Sequence, residues 1–300
     1  MTVALFTHAA CLGHVTPPGH PEQVARLEAV TRGLAALPLD RRDMPRGLDV
    51  DILRCHPARY LARVRAASPA TGWAQLDGDT YLSPGSVDAA LHAVGGACAA
   101  VDAVMGGGRA FVAARPPGHH AETSTAMGFC IFGTVAIAAK YAMAVHGLTR
   151  VAIMDFDVHH GNGTQDLLWD ESRCLFISSH QMPLYPGSGA ADARGAHGQI
   201  INIPLREGCT GATMRDIYAR YVMPALRDYA PELLLISAGF DAHTDDPLAG
   251  LTWQADDYAW ITRQLVTVAG ARVVSCLEGG YDLPALEACV AAHVGALGEE

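Results

Sequence analysis

Short apolar runs punctuate this chain, too apolar to lie on a surface and too short to make helices. VALF (3–6), AFVAA (110–114), RVAIMD (150–155), CLFIS (174–178), IINI (200–203), LLLIS (233–237) and RVVSC (272–276) each stand between Gly, Pro or polar residues. A strand covered on both faces reads this way, as a continuous apolar run instead of an alternation. Helical stretches lie between most of them, at 22–36, 86–105, 131–146, 210–229, 255–269 and 284–296. Strand alternating with helix predicts an α/β fold of three layers, a doubly wound and mostly parallel sheet with helices on both faces.

Half of the 300 residues are hydrophobic and 17% are charged, enough apolar material for a large core. Residues 38–85, rich in Pro, Gly and Asp, read as surface excursions and not as a linker, so one domain is expected over 1–300. A formal net charge of -10 without any Lys/Arg cluster argues against nucleic acid as a partner. The first residues, MTVALFTHAACLGH, have no basic start and no long apolar stretch, and no uninterrupted apolar run reaches membrane-spanning length. The eight cysteines form no CxxC pair and read as small buried hydrophobes of a reducing compartment. The expectation is a cytoplasmic protein.

In a sheet of this kind ligands bind beyond the carboxyl ends of the strands, so the residues that follow each apolar run are the ones to inspect. They read RPPGHH, DFDVHH, SSHQ, AGFDAHTDDP and LEGGYD. With period two, Asp155, Asp157 and His159 share one face while Phe156 and Val158 turn into the core. A carboxylate and an imidazole on one face can share a metal, and Asp241 occupies the matching place after LLLIS. Two Asp and one His suit Zn²⁺, which takes such ligands at about 2.0–2.2 Å and keeps a fourth position open in catalytic sites. The same set also admits iron or cobalt. Spacing alone leaves open that these carboxylates only cap helices or pair with Arg.

The same rim carries the tandem His119 and His120, stiffened by Pro116 and Pro117, and Tyr281 behind two glycines. An imidazole can move a proton near neutral pH, and a phenol beside a metal can stabilise an oxyanion. Together these groups describe an amide hydrolase.

The stretches RPPGHHAE, GFCIFGTVAIAAKYA, DFDVHHGNGTQ, SSHQMPLYPGSG, SAGFDAHTDDPLAGL and LEGGYD resemble the zinc-dependent histone deacetylases, in order, from GHPE (19–22) to residue 282. The resemblance implies the arginase and deacetylase fold, Zn²⁺ on Asp157, His159 and Asp241, and hydrolysis of an acetyl-lysine or small acetylated amine. It implies His120 as general base and acid, His119 as its electrostatic partner and Tyr281 on the scissile carbonyl, with Asp155 bonded to His119 and Asn162 orienting His120. Asn162 resembles the second class of the family, which includes bacterial amidohydrolases; first-class members carry Asp there. A structural K⁺ is implied at Asp155, Asp157 and His159, with Ser178 and Ser179. Gly128, Phe129 and Tyr185 are implied in the acyl channel. Leu248 stands where members dedicated to acetylpolyamines resemble one another in having Glu, which disfavours a polyamine by ~1–2 kcal/mol. GHPEQVARLEAV departs from the usual HPERPERL, keeping Arg26 as its only basic residue. The alternatives are an acetylpolyamine amidohydrolase, an arginase-like enzyme with two Mn²⁺ ions, and an inactive acyl-binding homologue. The oligomeric state is left open.

Overall fold

The computed structural model describes residues 1–299. In chain order its strands are β1 (Val3–Thr7), β2 (Leu39–Asp43), the short pair β3 (Ala74–Gln75) and β4 (Tyr81–Leu82), β5 (Gly108–Val112), β6 (Val151–Asp155), β7 (Cys174–Gln181), β8 (Ile200–Leu205), β9 (Leu233–Ala238) and β10 (Arg272–Leu277). Eight of them form one sheet in the order β2-β1-β5-β10-β9-β6-β7-β8. Every pairing in that sheet is parallel, as the apolar runs predict. β6 and β9 are neighbours, yet the chain leaves β6 toward β7 on one side and leaves β9 toward β10 on the other. That reversal opens a crevice above the two strand ends, the place where such sheets bind ligands.

The helices are α1 (Ala25–Gly33), α2 (Asp49–Ile52), α3 (Ala58–Ala66), α4 (Ser86–Val104), α5 (Thr134–Val145), α6 (Asn162–Leu167), α7 (Gly211–Ile217), α8 (Met223–Tyr229), α9 (Ala255–Ala269) and α10 (Leu283–Gly298). α4 lies against β1, β5 and β10 and beside α5, while α10 joins α1 and α9 in a second layer. α4 is long and apolar enough to cross a membrane, but most of it is buried in this core. α10 starts cleanly because the Asp282 carboxylate accepts the Ala285 N–H at 2.9 Å. Its His293 is fully buried, held by Thr262 at 2.6 Å and Ser275 at 2.8 Å, so α9, α10 and β10 share one polar staple in an apolar interior.

Two expectations need correction, and one helix was not expected at all. Residues 38–85 are more than surface excursions: β2 extends the sheet beside β1, and α2, α3 and the antiparallel β3–β4 pair follow. β2 reads LDRRD and is mostly exposed, because an edge strand lacks the covering that makes inner strands apolar. The helix expected over 210–229 is interrupted by a π turn at Tyr218–Val222, after which Pro224 opens α8. The six-residue α6 escaped prediction, being too short to show a helical period.

Candidate active site

β6 ends at Asp155 and β9 at Ala238, so the two segments that follow approach each other at the sheet reversal. Asp155, Asp157, His159 and Asp241 are all buried there. Phe156 turns into the core against Phe240 and Tyr258, as the alternation expects. The His159 Nδ1 lies 3.2 Å from Asp157 Oδ1 and 3.1 Å from Asp241 Oδ2. One ligand atom from each of Asp157, His159 and Asp241 falls within 4.8 Å of the others, so the three side chains can close on one ion.

Backbone groups fix these carboxylates before any ligand arrives. Val158 N donates to Asp241 Oδ1 at 2.9 Å, and Gly279 N donates to Asp157 Oδ2 at 2.8 Å. Only glycine fits at 279: a Cβ there would stand 2.2 Å from Asp241 Oδ2 and 2.5 Å from Asp157 Oδ2. The residues also fit a cation by charge. Burial alone would depress the His159 imidazolium, but hydrogen bonds and charge from Asp157 and Asp241 push it up to about 10. The site draws a proton onto His159 to balance two buried carboxylates, and a divalent ion bound by the same atoms would take over that duty.

His119 and His120 sit on the loop between β5 and α5, with ring centres 4.0 Å apart. His119 Nδ1 is 3.1 Å from Asp155 Oδ2, and His120 Nδ1 is 2.7 Å from Asn162 Oδ1. The two rings rest in opposite charge states. Burial disfavours a charged His119, yet Asp157 and Asp155 outweigh it and hold its pKa well above the ordinary value. Burial lowers His120, and charge on His119 and His159 lowers it further, so it stays neutral. Asp155 is raised by burial to about 6, with His119 opposing.

The loop is held from behind by residues that sequence reading did not single out. Glu278, buried, accepts Gly118 N at 2.7 Å and His119 N at 3.2 Å. Arg115, also buried, clamps the Glu22 carboxylate, its Nη2 donating to Oε2 at 2.6 Å, and Glu22 in turn pairs with Arg26. Arg26, whose role the sequence left unassigned, donates to Gly280 O at 2.7 Å and lies 4.9 Å from the Tyr281 ring centre. Tyr281 N donates to Asp246 Oδ2 at 2.6 Å. Burial raises the Tyr281 phenol well above its ordinary pKa despite Arg26, so it keeps its proton.

A cavity of about 190 Å³ opens onto this floor, bounded below by His120, His159 and Tyr281 and flanked by Phe129, Tyr185 and Leu248. Gly128 and Phe129 both have positive φ, 55° and 68°. A Cβ at Gly128 would come within 2.3 Å of the His120 ring, so glycine is required there. The turn is anchored by Thr80, whose hydroxyl accepts Phe129 N at 3.0 Å, and by Asp79, which accepts Gly128 N at 3.1 Å and also lines the cavity. Asp155 and Ser178 are register partners on β6 and β7, so part of the group expected around potassium is adjacent. The Ser179 hydroxyl is engaged by Tyr218 at 2.6 Å. All eight cysteines are buried free thiols.

A model of the histone deacetylase domain matches residues 20–297. The chain belongs to the histone deacetylase family. An uncharacterised protein of Synechocystis is 44% identical to this deacetylase, over 95% of each chain. A histone deacetylase-like amidohydrolase of Pseudomonas aeruginosa is 40% identical, over 90% of this chain and 75% of its own. The crystal structure of the HDA15 HD domain superposes with a TM-score of 0.94 at 32% identity, covering 99% of this chain and 91% of that one. The deacetylase is thus a hydrolase acting on linear amide bonds, on the arginase and deacetylase fold.

Proposed function

We propose that this deacetylase hydrolyses N-acetylated primary amines, with acetyl-lysine in a peptide preferred, and that it holds one Zn²⁺ on Asp157, His159 and Asp241. The observation that carries the reading is the convergence of those three side chains, a neutral His120 and a protonated Tyr281 at the floor of one narrow cavity. When bound there, zinc supplies Lewis-acid polarisation of the carbonyl and lowers the pKa of the attacking water. His120 takes one proton from that water as oxygen attacks the acetyl carbon. The Tyr281 O–H donates a hydrogen bond to the developing oxyanion. His120 then returns the proton to the amine nitrogen as the C–N bond breaks, leaving acetate and free amine. His119, charged against Asp155, supplies a fixed positive field beside these steps.

Phe129 and Tyr185 flank the cavity and suit the methylenes of a lysyl chain. Leu248 adds no second anion to that of Asp79 for a distant ammonium, which favours acetyl-lysine over a polyamine by a small margin. Potassium at Asp155, Asp157, His159, Ser178 and Ser179 belongs to the same reading, supported by the register that sets Asp155 beside Ser178. Eight unpaired thiols suit a cytoplasmic setting. The test is a side-by-side rate panel of acetyl-lysine peptides, acetylpolyamines and longer acyl-lysines, with metal content by atomic emission. One zinc per chain, with turnover lost on chelation and restored by zinc, is expected. Full activity after exhaustive chelation, or two manganese per chain, overturns the metal assignment; preference for acetylpolyamines overturns the substrate.

A further inference from the structure

The amide of Asn162 stands between two groups that want different things from it. Its Oδ1 lies 2.7 Å from His120 Nδ1, and its Nδ2 lies 2.8 Å from Glu122 Oε1. A primary amide is nearly symmetric in shape, so turning it by half a rotation exchanges oxygen and nitrogen at little steric cost. For His120 the two orientations are opposites. With oxygen toward the ring, Nδ1 carries the hydrogen and Nε2 keeps a free lone pair. With the NH₂ toward the ring, Nδ1 must accept, the hydrogen moves to Nε2, and that nitrogen can no longer take a proton. A carboxylate at 162 would accept in either orientation, but an amide needs something to choose its direction.

Glu122 makes that choice. Its carboxylate is acceptor-only, so it attracts the NH₂ of Asn162 and repels the oxygen. Met127 Sδ, 3.3 Å from the same Nδ2, is too weak an acceptor to decide alone. Among the described residues, no basic side chain forms an ion pair with Glu122, which leaves its carboxylate free for Asn162. Glu122 is itself held in place by backbone pairing with Thr125, its N–H donating to Thr125 O at 3.0 Å. We infer that Glu122 is a positioning residue of this deacetylase, acting through the Asn162 amide to hold His120 in the tautomer whose Nε2 is free. The inference rests on the reading of His120 as proton carrier.

The experiment reverses the choice and then removes the need for it. Glu122→Lys presents a donor where the acceptor stood, so Asn162 turns its oxygen away from His120; kcat should fall ~100-fold with KM little changed, within the ~10²–10⁴ that general acid–base catalysis supplies. Adding Asn162→Asp to Glu122→Lys should restore kcat to within about tenfold of the parent, because a carboxylate accepts from Lys and His120 at once. Glu122→Ala, the gentler variant at this partly buried position, should cost about threefold to tenfold in kcat. Nitrogen-15 NMR of the His120 imidazole in the resting zinc-loaded protein reads the tautomer without turnover. A protonated Nδ1 in the parent, a protonated Nε2 in Glu122→Lys and a mixture in Glu122→Ala are expected. Identical spectra in all three, or no rescue by Asn162→Asp, overturns the inference. If the spectra change as expected while none of the amides is hydrolysed, it is the functional reading that fails.

Discussion

The floor of the active site and its rim are built by different means. Asp155, Asp157, His159 and Asp241 lie at or just past the ends of two central strands and are buried, and the three carboxylates each accept a backbone N–H. Phe129, Tyr185, Leu248 and Asp79 stand on loops, and Tyr185 is 39% exposed. Phe129 keeps its left-handed conformation with help from Thr80, on a segment 49 residues earlier in the chain. The strand ends therefore place the proposed metal ligands, and the loops place the walls that would meet the substrate. The floor should tolerate almost no change, while the rim should trade one substrate for another.

The sharpest test of that contrast is a single methyl group on the floor. Gly279→Ala drives a Cβ toward oxygens of both Asp157 and Asp241, so it should strip metal affinity and activity together. Removing a partner that merely orients a ligand costs about 10–100-fold, and this change displaces two ligands, so a loss of ~10³-fold or more is expected. Equilibrium zinc titration alongside initial rates checks it. A variant that binds zinc normally would show the floor to be as pliable as the rim. Next in size is Tyr281→Phe, which keeps the ring against Phe129 and Arg26 but removes the oxyanion donor. It should lower kcat by ~10²–10³-fold with KM nearly unchanged.

The same contrast governs what could be read from the sequence. The central strands were legible because two covered faces force continuous apolar runs, and the ligands were legible because they follow those runs directly. β2 was not, since an edge strand of LDRRD carries no such mark. The supports behind the loops were also invisible, for their partners are remote: Glu22 meets Arg115 across 93 residues, and Glu278 meets Gly118 across 160. Each is an ordinary acidic residue in its local context, and only the folded chain shows Glu22 and Glu278 buried among donors. Gly279 shows in the sequence only as one of the two glycines before Tyr281, and its close approach to two carboxylates is a tertiary fact.

On the rim the expected effects are smaller and fall on binding. Phe129→Ala removes one wall of the cavity while leaving the Gly128 and Phe129 backbone bonds available. Losing roughly 1.5 kcal/mol of apolar contact corresponds to about a tenfold rise in KM for an acetyl-lysine peptide, with kcat nearly retained. Michaelis parameters for one peptide decide it, and a dominant fall in kcat would move Phe129 from the rim to the floor.

Leu248→Glu should have the smallest effect, because two features of the rim dilute it. Leu248 is only partly buried, so a carboxylate there is screened by water. Asp79 already lines the cavity with a carboxylate, one oxygen of which is taken by Gly128 N, so a second anion adds to a field that exists. An exposed charge pair contributes ~0.2–1 kcal/mol, which sets the expected gain in kcat/KM for an acetylated diamine over an acetyl-lysine peptide at about twofold to fivefold. The gain should shrink as salt is raised, since the pair lies within reach of screening ions. A gain that survives high salt would mean that Leu248 faces a drier part of the channel than its exposure suggests, and that the rim discriminates by desolvation as the floor does.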